Sequence, residues 1–227
     1  MSKHLQRDIE NLNQELLRVS AMVEEMIDKA TQPLIERRCE LADEIVESDD
    51  YVDRHEVHVE EECLKMLALH QPVAVDLRRI ATVMKVNNDL ERIADLAVSI
   101  AQRAQAMDEF PTFPIPEQLP RMVVLATQMV RGAMNAFVNM DVAASRRIIA
   151  LDKSVDQYNR DIIAELQTLM QKRPELVAPA LHCFSAVRHI ERIADHATNI
   201  AEDVIYLVEG DIVRHRHEPE GGEGAAK

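Results

Sequence analysis

Glycine, aromatic residues and closely spaced cysteines are all scarce in this chain of 227 residues. Five glycines, 3% aromatic residues and no tryptophan leave few of the residues that tight turns, strands and base-stacking surfaces use. The composition therefore disfavours β-sandwiches, dinucleotide-binding α/β folds and nucleic-acid stacking platforms. It favours long helices with few connections.

The three cysteines, Cys39, Cys63 and Cys183, are widely separated and form no CxxC pair. That spacing argues against a disulfide framework or a thiolate zinc site and suits a reducing compartment. The amino-terminal residues contain no apolar signal-peptide core, and no later run approaches the roughly 18 apolar residues of a membrane span. We therefore expect a cytoplasmic protein that does not itself span a membrane.

Basic residues are also under-represented, with 26 lysines and arginines against 40 acids and a formal net charge of −14. Such a chain repels phosphate backbones, which argues against direct nucleic-acid binding. A solvated surface accounts for most of the excess. The remainder suits cations or basic protein patches.

A proline-rich segment at 111–116 cannot continue a helix and is predicted to be a linker between a first unit, 1–110, and a second, 117–210. The Gly/Glu-rich end, 211–227, is predicted to be a disordered tail. Helical spacing of apolar residues predicts helices at about 5–30, 34–46, 49–70, 75–107, 117–140, 141–150, 152–172 and, after Pro174, up to about 208. Asp49, Asp141 and Asp152 are the expected amino-terminal caps.

The two units contain related sequences. Residues 90–95, LERIAD, recur 100 positions later as IERIAD, and eight of the eighteen residues in 87–104 are identical in 187–204. Upstream, DDYVD at 49–53 corresponds to DKSVD at 152–156. Two matches in the same order indicate an internal duplication. The predicted fold is therefore all-α, with two tandem pseudo-symmetric three-helix bundles.

Each duplicated segment contains two acids one helical turn apart, so that both side chains project from one helix face. In an antiparallel hairpin, residues at one level have a constant index sum. Asp53 with Glu91 and Asp49 with Asp95 both sum to 144, which centres the hairpin on Pro72. In the second unit the corresponding sum is 347, centred between 173 and 174. The acids of neighbouring helices are therefore expected to face each other.

Clustered carboxylates repel one another unless cations or protons neutralise them. Oxygen ligands suit Mg²⁺, Mn²⁺, Fe or Ca²⁺, and also Zn²⁺, so the sequence predicts divalent or trivalent metal ions of undetermined identity. The candidate metal ligands are Asp49, Asp53, Glu56, Glu60, Glu91, Asp95, Asp152, Asp156, Glu191, Asp195 and Asn199.

Simpler interpretations of these residues remain open. Isolated acids on helices are usually solvated, and Arg92 and Arg192 are placed to neutralise the motifs through surface salt bridges. His55, His58 and His196 lie close enough to reach a metal but are interpreted as ordinary surface histidines. No catalytic or organic-cofactor residues are predicted.

The duplicated motifs, Glu91-Arg92-Ile93-Ala94-Asp95 and Glu191-Arg192-Ile193-Ala194-Asp195, resemble the acidic E(D)xxxD motifs of the PhoU family, and the segment QPVAVDLR at 71–78 is similar to that family's turn before its third helix. The resemblance spans roughly 5–210. It implies two three-helix bundles with multinuclear metal clusters on their surface. One departure is Ile163, which stands where the first unit has Glu60.

The resemblance also implies a role: a non-enzymatic, homodimeric regulator that restrains phosphate uptake and the phosphate-starvation response. Its expected partners are the ATP-binding subunit of the phosphate transporter and a sensor histidine kinase. Two alternatives remain, a metal-dependent hydrolase that uses the acidic clusters and a metal-free helical adaptor. A ferritin-like di-iron enzyme is excluded, because no glutamate has a histidine three residues later.

Overall fold

The computed structural model describes residues 3–36 and 42–210, and within these ranges the chain is helical without any β-strand. The six α-helices are α1 (Lys3–Glu36), α2 (Ala42–His70), α3 (Val75–Ala106), α4 (Leu119–Asn139), α5 (Val142–Lys172) and α6 (Val177–Glu209). The predicted all-α class is confirmed. Cys39, the segment 211–227 and its basic patch, RHRH at 214–217, lie outside the described residues.

The helices pack as two bundles that share a central contact. In the first half α1, α2 and α3 contact one another, and in the second half α4, α5 and α6 do the same. The halves meet where α3 packs against α6, with a smaller contact between α1 and α4. No helix of the described part is long and apolar enough to cross a lipid bilayer.

Apolar stripes at helical spacing form the core, as the sequence predicts. In α3 the stripe that excludes the acidic motif is fully buried; it consists of Val83, Val86, Leu90, Ile93, Ala97 and Ile100. A straight helix drifts by only about 20° per heptad from a 3.5-residue repeat, so long stripes of this kind need only gentle curvature to stay in the core.

The first helix is longer than predicted, because α1 continues past Ala30 to Glu36 and includes Pro33. A proline removes one backbone hydrogen bond. Here, however, Pro33 and Leu34 are buried beside Phe113 of the inter-bundle segment, residues 107–118 between α3 and α4. Thr31 Oγ1 also donates to the Ile27 carbonyl at 2.7 Å. Burial of apolar surface therefore keeps this turn helical, and the predicted boundary at 30 was wrong.

The expected caps at Asp49 and Asp152 were also wrong, because both residues lie inside continuous helices. Of the predicted helix at 34–46, residues 34–36 belong to α1 and 42–46 to α2, which continues through Asp49, while 37–41 lie outside the described residues. Helix α5 runs unbroken from Val142, capped by Asp141, whose side chain accepts from the Ala144 N–H at 2.9 Å. Neither glycine nor proline interrupts 142–172, so aspartates that resemble caps are accommodated as interior residues.

The two hairpin turns fall at the positions that the index sums require. Helix α2 ends at His70 and α3 starts at Val75, around Pro72. Gln71 and Ala74 adopt positive φ angles of 44° and 49°, a backbone conformation that costs non-glycine residues free energy. In the second half a 3-10 turn, Pro174–Leu176, joins α5 to α6.

Polar contacts link the halves across the α3–α6 contact. Lys85 Nζ lies 3.0 Å from Asp203 Oδ1 and 5.3 Å from the centre of the Tyr206 ring. Asp89 Oδ1 lies 2.8 Å from His196 Nδ1. Because the Asp203 side chain is only 3% exposed, its carboxylate depends on partners inside the protein.

We expect Lys85→Met to lower the free energy of unfolding by ~1–3 kcal/mol, since it deprives the buried Asp203 carboxylate of its ion pair while keeping most of the side-chain stem. Urea unfolding followed by circular dichroism measures the change. The matched control is Arg146→Met, which breaks the exposed 2.8 Å pair with Glu209 and should cost less than ~1 kcal/mol. Equal costs for the two variants would contradict this assignment.

Candidate metal centre

The structure brings the acids of α2 and α3 together, as the hairpin geometry predicts. Burial raises the pKa of Asp49, and the negative charges of Asp53, Asp95 and Asp50 add to the effect, so that the pKa is about 6. Asp53 and Asp95 are exposed, whereas Asp49 is half-buried. The Asp49 Oδ1 atom is buried and accepts no hydrogen bond from any described residue. Asp49 is therefore the innermost carboxylate of this group.

Glu91 occupies the next level of the same group. Its pKa is raised by burial and then by the charge of Asp95, with Glu56 and Asp53 contributing less. Glu56 is half-buried, and its backbone carbonyl accepts a 2.9 Å hydrogen bond from Asn87 Nδ2 that ties α2 to α3. The hairpin thus places five predicted ligands side by side: Asp49, Asp53, Glu56, Glu91 and Asp95.

Two first-half residues modify this group. Arg92 lies 3.3 Å from both Glu91 and Asp95, so the salt bridges that the sequence suggested are present. Glu60 is exposed, and its charge, after burial, raises the pKa of Cys63 to about 12. The Glu60 charge acts on that thiol rather than on Asp49 or Glu91, which leaves Glu60 at the edge of the group.

The second half repeats the arrangement between α5 and α6. Burial raises the pKa of Asp152 to about 6, with repulsion from Asp156, Asp195 and Glu191 adding to the effect. Glu202 on α6 also contributes to that repulsion. Glu202 was missed by the sequence analysis, although its spacing of seven from Asp195 places it on the same helix face.

Glu191 and Asp195 carry the duplicated motif on α6. Burial raises the pKa of Glu191 and of Asp195; the charge of Asp195 then acts most strongly on Glu191, and that of Asp156 on Asp195. Glu191 Oε1 accepts from Arg188 at 2.8 Å and from Asn159 at 3.4 Å. Its Oε2 atom is buried and accepts no hydrogen bond within the described part of the chain.

The remaining candidates contact residues outside the two acidic groups. Asn199 Nδ2 is 3.5 Å from Asp89 Oδ1, at the α3–α6 contact, and the same carboxylate binds His196. His58 Nε2 lies 3.6 Å from Glu15 on α1. The His55 ring stacks 4.3 Å from that of Tyr51. Asp89 could not be found from the repeat, because the equivalent position, 189, is a histidine and not an acid.

Each half therefore contains a group of carboxylates whose ionisation is opposed by burial and by neighbouring negative charge. Cations or protons would relieve that repulsion, and exposed Asp53 and Asp95 leave one side open to solvent. Among residues 3–36 and 42–210, however, no three His, Cys, Asp or Glu side chains form a ready-made metal site. Arginines occupy part of the space, as Arg92 and Arg188 show.

The fold and these groups define a duplicated helical-bundle protein with one acidic groove in each half. An acidic groove is the surface where the acids of α2 and α3, or those of α5 and α6, face each other. Two solved structures share this architecture. The crystal structure of PhoU from Pseudomonas aeruginosa matches with a TM-score of 0.88 and 35% identity over 91% of this chain and 99% of that one. The phosphate transport system regulatory protein PhoU from Streptococcus pneumoniae matches with a TM-score of 0.86 and 28% identity, over 92% and 99% of the two chains.

Sequence relatives agree with the structural ones. The phosphate-specific transport system accessory protein PhoU homolog of Aquifex aeolicus is 38% identical over 96% of this chain and 98% of the relative. The PhoU accessory protein of Escherichia coli is 30% identical over 95% and 91%. The family model described as the PhoU domain matches twice, at residues 16–104 and 119–204. The chain belongs to the PhoU family.

We expect Asp152→Asn to raise the melting temperature of chelator-treated protein at pH 7.5 by about 2–4 °C, the shift that ~1 kcal/mol produces in a chain of this size after allowance for solvent screening. The folded pKa of Asp152, about 6, exceeds the unfolded value near 3.9. Its contribution to stability is therefore full below about pH 4 and is lost as the pH rises through about 6.

Differential scanning fluorimetry across that pH range measures the effect, and the gain from Asp152→Asn should vanish near pH 4. The control is Asp161→Asn on the same helix, whose oxygen can still accept from Gln157; it should give no gain at pH 7.5. A gain from Asp152→Asn that is independent of pH would refute the repulsion argument.

Proposed function

We propose that this protein regulates phosphate uptake and phosphate-starvation signalling by binding metal ions in its two acidic grooves and contacting protein partners. The observation that supports it best is the duplicated convergence of helical carboxylates in a chain that matches the PhoU domain in both halves. The relatives' names associate them with phosphate-specific transport. The proposal extends that role to this chain.

The donor atoms suit hard cations. Buried Asp49 Oδ1 in the first groove and Glu191 Oε2 in the second accept no hydrogen bond from described residues and so retain unused lone pairs. Glu91 Oε2 is also buried, and it lies 3.3 Å from Arg92 Nε. Carboxylate oxygens are preferred by Mg²⁺, Mn²⁺ and Fe, and Zn²⁺ also accepts them. The holding residues would be Asp49, Asp53, Glu56, Glu91 and Asp95 in one groove, and Asp152, Asp156, Glu191 and Asp195 in the other, with Glu60 and Asn199 at the edges.

A bound cation would supply positive charge, and the chain's own residues would determine how that charge is presented. Arg92, now paired with both acids of its motif, would be displaced towards solvent by competition for the same oxygens. On a surface of net charge −14, the bound ions would offset the carboxylate charge of each groove and form a patch whose open coordination positions accept anionic oxygens. Such a patch is suited to an acidic or phosphate-bearing partner surface.

The proposed partners are the ATP-binding subunit of the phosphate transporter and a sensor histidine kinase, which the protein would meet in the cytoplasm as a homodimer. Regulation by contact rather than catalysis is favoured, because the acids sit on exposed helix faces and not inside an enclosing cavity. The membrane is reached only through these partners.

We expect wild-type protein to retain stoichiometric metal after purification and the double variant Asp95→Ala plus Asp195→Ala to lose most of it, since each substitution removes an acid from one groove. Inductively coupled plasma mass spectrometry of the full chain measures the content. The control, Asp108→Ala plus Asp161→Ala, removes two acids elsewhere and should leave it unchanged. Metal-free wild-type protein would refute the metal proposal and favour a helical adaptor.

We further expect chelation to reduce capture of the transporter's ATP-binding subunit at least ~10-fold, because the metal-ion patches disappear. Affinity pull-down with the purified subunit, with and without chelator, measures this. The double variant lacking Asp95 and Asp195 should behave like chelated wild type. Capture that is equal under all three conditions would show that partner binding does not depend on metal.

A further inference from the structure

The repeat places equivalent residues at the two ends of the α3–α6 contact, because position i of α3 corresponds to position i+100 of α6. At one end the charges are balanced. Lys85 pairs with Asp203 at 3.0 Å, and His196 lies 2.8 Å from Asp89. Two acids from opposite halves therefore each contact a nitrogen-bearing side chain of the other half.

The other end has the same backbone relationship but different charges. Arg103 stands at the position equivalent to Asp203, and His189 stands at the position equivalent to Asp89. Ser185 replaces Lys85, and its Oγ lies 3.3 Å from His189 Nε2. Both acids of the balanced end have thus been replaced by nitrogen-bearing side chains that can donate hydrogen bonds.

Two buried nitrogen atoms at this end lack a hydrogen-bond partner among the described residues. Arg103 Nε and His189 Nδ1 are buried and make no hydrogen bond within the described residues. Neither Arg103 nor Arg192 forms an ion pair with any residue in 3–36 or 42–210. Ser185, which contacts His189, and Arg103 stand at the positions equivalent to Lys85 and Asp203, which pair at 3.0 Å, so the repeat places Arg103 beside Ser185. Arg192 follows His189 by three positions on α6 and lies next to it on the helix surface.

We propose that Arg103, His189 and Arg192 form a binding site for a small tetrahedral oxyanion of the phosphate class. Guanidinium groups present paired N–H donors that match such an anion, and charge-assisted hydrogen bonds of this kind are the strong ones. Arg103 and His189 are half-buried, so part of each side chain remains accessible to solvent. The anion would satisfy donors that the duplication left without acidic partners.

The negative charge of Asp195 opposes binding of the anion. The charge of Arg192 lowers the pKa of Asp195, so this guanidinium also acts on the second acidic group. Arg103 lies on α3, across the contact from α6, at the position equivalent to Asp203. We therefore assign Arg103 the larger share of the binding and Arg192 a smaller one.

Isothermal titration calorimetry of the chelator-treated full chain with inorganic phosphate tests this site without contribution from metal. Wild-type protein should bind phosphate saturably, and sulfate should compete, whereas chloride at matched ionic strength should not. Arg103→Gln should weaken phosphate binding at least ~10-fold, equivalent to ~1.4 kcal/mol. Arg192→Gln, which alters an exposed side chain, should weaken it less and provides the test if Arg103→Gln does not fold.

The matched control is Arg146→Gln, which removes the same charge from an arginine already paired with Glu209, and it should bind phosphate as wild type does. Absence of saturable binding by wild-type protein would overturn the proposal. So would an equal loss in Arg103→Gln and Arg146→Gln, which would indicate screening by net charge alone. Neither result bears on the metal content of the acidic grooves, so the two proposals fail separately.

Discussion

Repulsion between carboxylates held at one level on adjacent helices is the constraint on which this structure depends. Burial and neighbouring negative charge raise the pKa of Asp49 and of its counterpart Asp152 to about 6. A stable helical hairpin would not place such groups together without some compensation. Arg92 and Arg188 supply part of it, and cations are proposed to supply the rest.

The bundle makes this arrangement possible by separating core from site on each helix. The buried aliphatic stripes determine how α3 and α6 are rotated about their axes. The acidic motifs therefore lie on the helix face away from the core. Shared hairpin geometry then fixes their height, because α2–α3 and α5–α6 both turn at a proline. The grooves are therefore consequences of helix packing and need no loop to shape them.

Most of this could be predicted from sequence, because it depends on periodicity within helices and on symmetry between halves. The prediction that Asp53 and Glu91 lie at the same level required only the position of Pro72 and an antiparallel hairpin. Helix boundaries were harder to predict, since aspartates such as Asp152 satisfy cap rules yet remain inside helices whose apolar stripe continues. Burial of Pro33 against the inter-bundle segment is a tertiary effect that no local pattern shows.

Contacts between the halves were the least predictable, because sequence spacing does not reveal how α3 crosses α6. Lys85 with Asp203 and Asp89 with His196 emerged only from that crossing. The central claim, that the hairpins align acids so that cations bind there, is tested most directly by anomalous diffraction from crystals grown with Mn²⁺ or Fe. The account predicts anomalous peaks in both the α2–α3 and the α5–α6 grooves. Peaks only elsewhere, or none, would contradict it.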